Sequence, residues 1–319
     1  MTNQDNMDKE FEALVNAVEK TGADKNIFKG TQNGFMLVDK NKVLGLNTVE
    51  GLEVNAEEIE NGIKAKIRVL KGYKLEKPVH MCFGITGDIG EQIIESEYLL
   101  EEGSEAKFIS HCSFPNAINV IHKMTSKIKI EKNAKMKYEE VHYHSETGGV
   151  EVIPYTEAVV EDGGYFRSDF KLVKGRVGKL DIYYNFSLKD RAIAEMDSKI
   201  YGKKDDIIKV KEIISLDGEE SKGTVKARVF ASDNTYSEVY TEIYGNAPYC
   251  KGHVDCVEVV KGKNAEVSAI PIIKVTNDLA ELTHEASIGR VNKKELETLM
   301  ARGLDEDEAT DMIVKGMLK

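Results

Sequence analysis

Most of the chain alternates apolar and polar residues with a period of two. The alternation begins near Ile27 and lasts until about Ile288. Such a pattern places one face of each segment in a core and the other face in water, which is typical of half-buried β-strands. The clearest runs are Ile63–Ile67, Lys127–Ile130, Leu180–Leu188, Val225–Val229 and Val239–Ile243.

Turn residues divide these strands at short and fairly regular intervals. Glycine, asparagine and aspartate recur mostly about 11 to 17 positions apart, and they supply the backbone conformations that tight turns require. Few connections have the two-residue form of a hairpin, and none is long enough for a crossover helix. Two architectures remain, namely an antiparallel meander or sandwich and a parallel β-helix with about 27 to 30 residues per circuit. The β-helix is favoured because the strand region exceeds one ordinary sandwich and contains no linker.

Helical periodicity is found only at the two ends of the chain. Near the N-terminus, a helix capped by Asp8 and stopped by Thr21-Gly22 is predicted from the spacing of Phe11, Leu14, Val15 and Val18. After Ile288, two capping boxes, Asn292 to Glu295 and Asp305 to Glu308, predict two short amphipathic helices. These helices either cap the coil or dock a partner. Their apolar stripes are Leu296, Leu299, Met300, Ala309, Met312, Ile313 and Met317.

Three segments follow from these patterns. Residues 1–60 form an N-terminal helical or mixed segment, residues 61–278 form the β-helix core, and residues 279–319 form a C-terminal segment ending in the two helices.

The acidic residues outnumber the basic ones by 55 to 44, and no basic cluster occurs, which argues against a nucleic-acid-binding surface. No signal peptide and no apolar run of about 20 residues is found, so a cytoplasmic location is expected.

Reduced cysteines are expected in that compartment, and they become candidate ligands or core residues. Cys256 precedes Glu285 by 29 positions, and His253 precedes His284 by 31. In a coil of about 30 residues per circuit, each pair comes into register on adjacent turns. A thiolate would then lie beside a carboxylate and an imidazole, which is a set that binds a soft or borderline metal. The alternative is a buried cysteine that acts as a small hydrophobe.

Other potential sites are weaker. His142 and His144 share one face of a strand and could bind zinc, but without a cysteine or carboxylate beside them this interpretation is disfavoured. His80-Met-Cys82 and His111-Cys112 are about one circuit apart, and apolar surroundings favour core packing there. The sequence has no phosphate-binding loop, no nucleophile elbow and no zinc-protease motif.

Four segments in the C-terminal part of the chain carry a family resemblance. They are Gly252-His-Val-Asp-Cys256, Leu282-Thr-His-Glu-Ala-Ser-Ile-Gly-Arg290, Met300-Ala-Arg-Gly-Leu304 and Glu308-Ala-Thr-Asp-Met-Ile-Val-Lys-Gly316. Together they resemble the SufB/SufD family of iron-sulfur cluster assembly proteins. The resemblance runs from about Asn133 to Lys319. The chain is shorter than bacterial members and lacks their N-terminal cysteine-rich motif, so it most resembles the compact archaeal form.

This resemblance implies an all-β protein, a right-handed parallel β-helix with helical ends. It further implies a homodimer formed through the C-terminal part of the coil and a complex with a SufC-type ABC ATPase. Members of the family hold nascent clusters as scaffolds and do not hydrolyse nucleotide themselves. The expected cargo is a transient iron-sulfur cluster of the 4Fe-4S type. This cluster is passed to apo iron-sulfur proteins.

Site residues follow from the same resemblance. Cys256 falls on the cysteine that SufB proteins use in cluster assembly, Glu285 falls on their paired glutamate, and His284 falls on an interface histidine of SufD proteins. A homodimer could therefore supply both halves of the site. Cys250, which precedes Cys256 by six positions, is a further candidate thiolate from its position alone.

Two other functional classes remain in play. A zinc or other metal enzyme on the β-helix would hold its metal tightly and keep an open coordination position. A sugar-binding or lyase β-helix would require export and aromatic platforms, whereas the chain has no tryptophan. Neither a nucleic acid nor a membrane is expected as a partner.

Overall fold

The computed structural model describes residues 3–318 of the 319-residue chain, with side chains described from Lys9 onward. The helices are α1 Asn3–Glu19, α2 Lys293–Met300 and α3 Glu306–Met317, and Lys25–Phe28 forms one 3-10 turn. The strands are β1 Phe35–Asp39, β2 Lys42–Asn47, β3 Leu52–Ile59, β4 Gly62–Val69, β5 Val79–Gly84, β6 Ile89–Leu100, β7 Glu105–Phe114, β8 Asn119–Ile130, β9 Lys135–His144, β10 Val150–Val160, β11 Tyr165–Lys174, β12 Lys179–Leu188, β13 Ile193–Gly202, β14 Ile207–Leu216, β15 Lys222–Ser232, β16 Tyr236–Gly245, β17 Lys251–Lys261, β18 Glu266–Val275 and β19 Glu281–Arg290.

The strands form two facing sheets, and the chain crosses from one sheet to the other at nearly every turn. One sheet has ten strands in the order β19-β17-β15-β13-β11-β9-β7-β5-β1-β2, and the other has nine in the order β18-β16-β14-β12-β10-β8-β6-β4-β3. Within the described residues only β1 with β2 and β3 with β4 pair in antiparallel fashion. The parallel β-helix predicted from the alternation is therefore confirmed, and an antiparallel sandwich is excluded.

The length of one circuit is set by the pairing of strands along each sheet. The circuits from β4 onward differ little in length. One of the shortest places Tyr165 opposite Ile193, and the longest places Gly62 opposite Ile93. All of them lie close to the expected circuit of about 30 residues. Alternate residues point into the lumen, which is the space between the two sheets, and are buried there. A one-residue slip would turn every one of these side chains outward, so burial fixes the register.

The lumen contains the main hydrophobic core. Phe108, Phe166 and Phe186 are fully buried in it, and burial of each such side chain contributes about 2 to 3 kcal/mol. Polar residues are also buried at inward positions: His122, Glu140, His142, His144, Glu212 and Glu258. These polar inward residues interrupt the apolar pattern and mark the sections of the lumen where chemistry other than packing is possible.

Helix α1 covers the outer face of the ten-stranded sheet. Leu14 and Val18 pack there with Leu37 and Cys82. The helix begins at Asn3, so the prediction that Asp8 caps it is wrong. The residues before Asp8 are mostly polar and give no apolar periodicity from which an earlier start could be predicted.

Beneath the end of α1, the core packing predicted for the early His and Cys residues is found. The rings of His80 and His111 stack with centroids 5.3 Å apart, and His111 Nδ1 lies 2.7 Å from Thr21 Oγ1. Cys82 and Cys112 are both buried but lie on opposite faces of the sheet, Cys82 beneath α1 and Cys112 in the lumen. All four cysteines of the chain are free thiols.

The C-terminal helices divide their apolar residues between the coil and the solvent. Val314 and Leu318 of the α3 segment pack on Tyr201 and Phe230, whereas Met312 is 50% exposed. Asp305 and Glu308 form the predicted capping box, and the Asn292 side chain accepts hydrogen bonds from two backbone N–H groups of α2. None of the helices in residues 3–318 is long and apolar enough to span a membrane.

Candidate functional site

Strands β17 and β19 position the residues that the sequence singles out. Their pairing places Cys256 opposite Ala286, Asp255 opposite Glu285 and Val254 opposite His284. The prediction that Cys256 with Glu285 and His253 with His284 stand in vertical register is therefore wrong by one residue. The reason is parity, because Glu285 is one position before the partner of Cys256 and so lies on the other face of its strand.

The three predicted residues nevertheless meet around one depression at the end of the coil. This C-terminal cavity, of about 520 Å³, is lined by residues 255–257 and 284–287. By the alternation, Cys256 and His284 take inward positions and Glu285 takes an outward position. His284 and Glu285 are exposed because β19 is the last strand of its sheet and no further turn covers it in the described chain. The arrangement puts a thiol, an imidazole and a carboxylate around one space.

Cys256 is the buried member of this group. Its side chain is fully buried, and its Sγ lies 3.5 Å from Thr241 Oγ1. Burial raises the pKa of the Cys256 thiol to about 11. The thiol is therefore protonated at neutral pH in the isolated chain, whereas a metal or a sulfur atom reacts with the thiolate. Binding at Cys256 must accordingly displace a proton.

Cys250 lies in the turn that leads into β17 and is also fully buried. It does not belong to the residues that line the C-terminal cavity. Six steps of extended chain separate it from Cys256, which corresponds to about 20 Å. The two thiols of one chain are thus too far apart to share one ion, and a contribution of Cys250 stays a prediction.

Two buried carboxyl groups near Cys256 were missed by the sequence reasoning. Glu258 lies on β17 and Glu212 on β14, and burial raises the pKa of each to about 7. Ser198 Oγ donates a hydrogen bond to Glu212, whereas the Ser237 hydroxyl is the polar neighbour of the Glu258 carboxyl group. Each stands at an inward position of its strand, so a glutamate in the apolar phase is the signal that could have identified them. When ionised, both carboxylates add to the rise in the pKa of the Cys256 thiol, after the larger effect of burial.

The raised pKa of Glu212 predicts a pH-dependent stability. The ordinary pKa is 4.5 and the folded-state pKa is about 7, so the folded chain binds more protons than the unfolded chain between these values. The contribution to stability is complete below about pH 4.5, falls as the pH rises to about 7, and stays low above it. Glu212→Gln should remove this loss and raise the free energy of unfolding near pH 8 by up to about 3 kcal/mol, with little change near pH 5.

Urea unfolding followed by circular dichroism at the two pH values measures this effect. Glu219→Gln is the matched control, because Glu219 is an exposed glutamate in the turn after β14. Two outcomes would contradict the prediction. The two variants could change the free energy of unfolding equally, or the stability of the wild type could fall with pH no more than that of Glu212→Gln. Either result would show that ionisation of Glu212 does not destabilise the fold.

His142 and His144 also need a correction. The sequence predicts no cysteine or carboxylate beside them, but the structure shows Cys112 of β7 opposite His142, and Glu140 Oε1 lies 2.7 Å from His142 Nε2. Cys112 precedes His142 by one full circuit of the coil. The same spacing rule that was applied to Cys256 could have found this group.

The structure is therefore a parallel β-helix that carries a thiol, an imidazole and a carboxylate at its open end. Comparison with known proteins defines the family. The family model described as "SUF system FeS cluster assembly, SufBD core domain" matches residues 95–317.

Curated relatives agree with this match over nearly the whole chain. An iron-sulfur cluster assembly SufBD family protein of Methanocaldococcus jannaschii is 45% identical over 97% of this chain and 98% of its own length. One from Pyrococcus horikoshii is 40% identical over 100% of this chain and 96% of its own length, and one from Archaeoglobus fulgidus is 30% identical over 79% of this chain and 67% of its own length. The chain belongs to the SufBD family of iron-sulfur cluster assembly proteins.

Proposed function

We propose that this chain is a scaffold, without enzymatic activity of its own, on which iron-sulfur clusters are assembled and from which they are transferred to apo proteins. The observation that carries the proposal is the meeting of Cys256, His284 and Glu285 around the C-terminal cavity of a SufBD family member. The cluster is cargo that is built and then released.

The donor set suits a site of temporary residence. Cys thiolates are the usual ligands of iron-sulfur clusters. A single thiolate supported by a carboxylate and an imidazole holds iron less firmly than four thiolates would, because the softer sulfur ligands are fewer. Release to an acceptor is then easier. A cluster of the 4Fe-4S type fits this proposal. A second chain would supply ligands to the iron atoms that this chain leaves without a protein ligand.

The second chain in this proposal is another copy of the same protein. Strands β18 and β19 close the two sheets at the C-terminal end of the coil, and each leaves one edge without a neighbouring strand in the described chain. Such an edge is a template for pairing with another chain. Ile288 on β19 is 54% exposed, and Val275 and Leu279 nearby are exposed as well. A homodimer through this part of the coil would cover them and bring two C-terminal cavities together.

The C-terminal segment, residues 279–319, is proposed to dock a SufC-type ABC ATPase. Leu299, Met312 and Ile313, here called the helix patch, line a cavity of about 520 Å³ between α2 and α3. The sequence offers no phosphate-binding loop, so energy from nucleotide would have to come from another chain. Only two residues separate β19 from α2. A force on the helices would therefore reach His284 and Glu285 through a short path, provided that two states exist.

Anaerobic reconstitution tests the scaffold function directly. The purified chain should take up iron and sulfide, develop the absorption of an iron-sulfur cluster, and pass the cluster to an apo ferredoxin-type acceptor. Failure to acquire a cluster, in the presence and in the absence of the ATPase, would refute the proposal. Firmly held zinc at the C-terminal cavity with hydrolytic activity would favour the metal-enzyme alternative.

A further inference from the structure

A second group of metal-ligating side chains lies inside the coil, well away from the C-terminal cavity. Cys112 on β7 and Glu140 and His142 on β9 all take inward positions and are at most 3% exposed. Their ligand atoms, one from each side chain, lie within 4.8 Å of one another. We call this group the interior site. Five strand steps separate β7 from β17 in the ten-stranded sheet, or about 24 Å, so the interior site is distinct from the C-terminal cavity.

A chain of hydrogen bonds determines which nitrogen of His142 faces the interior site. His144 Nδ1 lies 3.0 Å from the carbonyl oxygen of Arg176, and a carbonyl only accepts, so Nδ1 of His144 donates. In the neutral ring, Nε2 of His144 then accepts from His142 Nδ1, 3.2 Å away. His142 thus points Nε2 toward Glu140. An imidazole held through its other nitrogen is the usual arrangement around a metal-binding histidine.

Cys112 and Glu140 complete a donor set with the right charge. Among the described residues, the hydrogen-bond neighbours of the Cys112 sulfur are weak, namely Ser110 Oγ at 3.7 Å and Met124 Sδ at 4.0 Å. A thiolate and a carboxylate carry two negative charges, which balance one divalent cation, and the imidazole adds none. Cysteine, histidine and glutamate are also ligand types that zinc accepts.

An independent observation comes from the opposite sheet. His122 on β8 is fully buried, yet neither of its ring nitrogens has a hydrogen-bond partner in the described chain. Its ring centroid lies 6.0 Å from that of His142, across the same section of the lumen. Buried polar groups are nearly always satisfied in native proteins, and an exception calls for a bound species. A metal ion in the interior site would supply a partner for His122.

We propose that Cys112, Glu140 and His142 bind a divalent transition-metal ion of the class of Zn²⁺ or Fe²⁺. His122, which lies outside this group of three, would turn toward the ion and become the fourth ligand. Four protein ligands in a tetrahedral arrangement make a closed site of the structural kind. The ion would join three consecutive strands, β7, β8 and β9, across both sheets. Because the site is buried, it is filled during folding and does not exchange readily. This proposal does not rest on the proposed cluster function.

The test uses the full chain in a Cys256→Ser background, which removes the thiol of the C-terminal cavity. The protein is unfolded and refolded anaerobically with Co²⁺, freed of loose metal by chelation and dialysis, and examined by elemental analysis and absorption. We expect about one cobalt per chain, with thiolate-to-cobalt charge transfer and the visible bands of a tetrahedral site. A refolded chain with native circular dichroism but no retained cobalt, or cobalt without thiolate character, would overturn the proposal.

Paired variants assign the ligands. Cys112→Ser should abolish the charge-transfer band, and His122→Gln should lower cobalt retention at least about tenfold. Cys82→Ser is the matched control, since Cys82 is a buried thiol on the neighbouring strand that faces α1 and not the lumen. Equal loss of the band in the Cys82 and Cys112 variants would refute the site. Should a variant misfold, the result for the background protein alone decides the question.

Discussion

Replacing Cys256 by serine should reduce the cluster content of the reconstituted chain at least about tenfold, the largest effect expected for any single cysteine. The thiol is the softest ligand of the C-terminal cavity, and iron-sulfur clusters depend on thiolates. A serine hydroxyl has similar volume, so the fully buried position should accept it without loss of the fold. Anaerobic reconstitution, with iron and sulfide measured per chain, gives the result.

Two other buried thiols provide the controls. Cys82→Ser changes a thiol beneath α1, and Cys112→Ser changes one in the interior site, so both should keep their clusters. The two proposed sites predict opposite losses: Cys256→Ser loses the cluster and keeps the interior ion, and Cys112→Ser does the reverse. Equal cluster loss in all three variants, or no loss in any, would contradict the assignment of Cys256.

The burial of Cys256 limits how a cluster could be loaded in the proposed scaffold. Its thiol is protonated at neutral pH, since burial raises its pKa to about 11, while His284 and Glu285 are exposed on the last strand. In the proposed scaffold, loading would require the Cys256 thiol to lose its proton, and a shift of the last turn would make this buried thiol accessible. Such a shift is the step on which an ATPase partner could act.

Much of the fold could be predicted because it is determined by the local alternation of apolar and polar residues. The period of two and the short turns specify strands, and the absence of crossover helices leaves few architectures. Register is harder, because lengthening or shortening a circuit by a single residue moves a side chain to the other face. The spacing brings Cys256, His284 and Glu285 to one cavity, but Ala286 and not Glu285 stands opposite Cys256.

The interior residues show a second limit of sequence reasoning. Glu212 and His122 look like ordinary polar positions in a half-buried strand, and only the strand phase reveals that they point inward. The pairing of Cys112 with His142 depends on the length of the circuit at that level of the coil. Circuits elsewhere are both shorter and longer, so a spacing of one circuit could suggest this pair but could not decide between His142 and its neighbours along the strand.

Cutting the chain after Arg290 should abolish binding of a SufC-type ATPase while leaving the parallel strands intact. The cut removes α2 and α3, and with them the helix patch of Leu299, Met312 and Ile313. It also uncovers Tyr201 and Phe230, which Val314 and Leu318 cover in the full chain. A finer test is therefore Met312→Asp, which places a charge on a side chain that is 50% exposed and spares the residues packed on the coil.

Met312→Asp should weaken ATPase binding at least about tenfold, because a buried apolar anchor contributes more than about 1.4 kcal/mol to an interface and a charge cannot replace it. Ile118→Asp is the matched control, since Ile118 is an apolar residue that is 61% exposed in the turn between β7 and β8, far along the chain from the helices. Size-exclusion chromatography and titration calorimetry with the purified ATPase measure both variants. If the truncated chain binds the ATPase as tightly as the full chain, the helices only cover the outer face of the sheet. The ATPase would then have to bind another part of the coil.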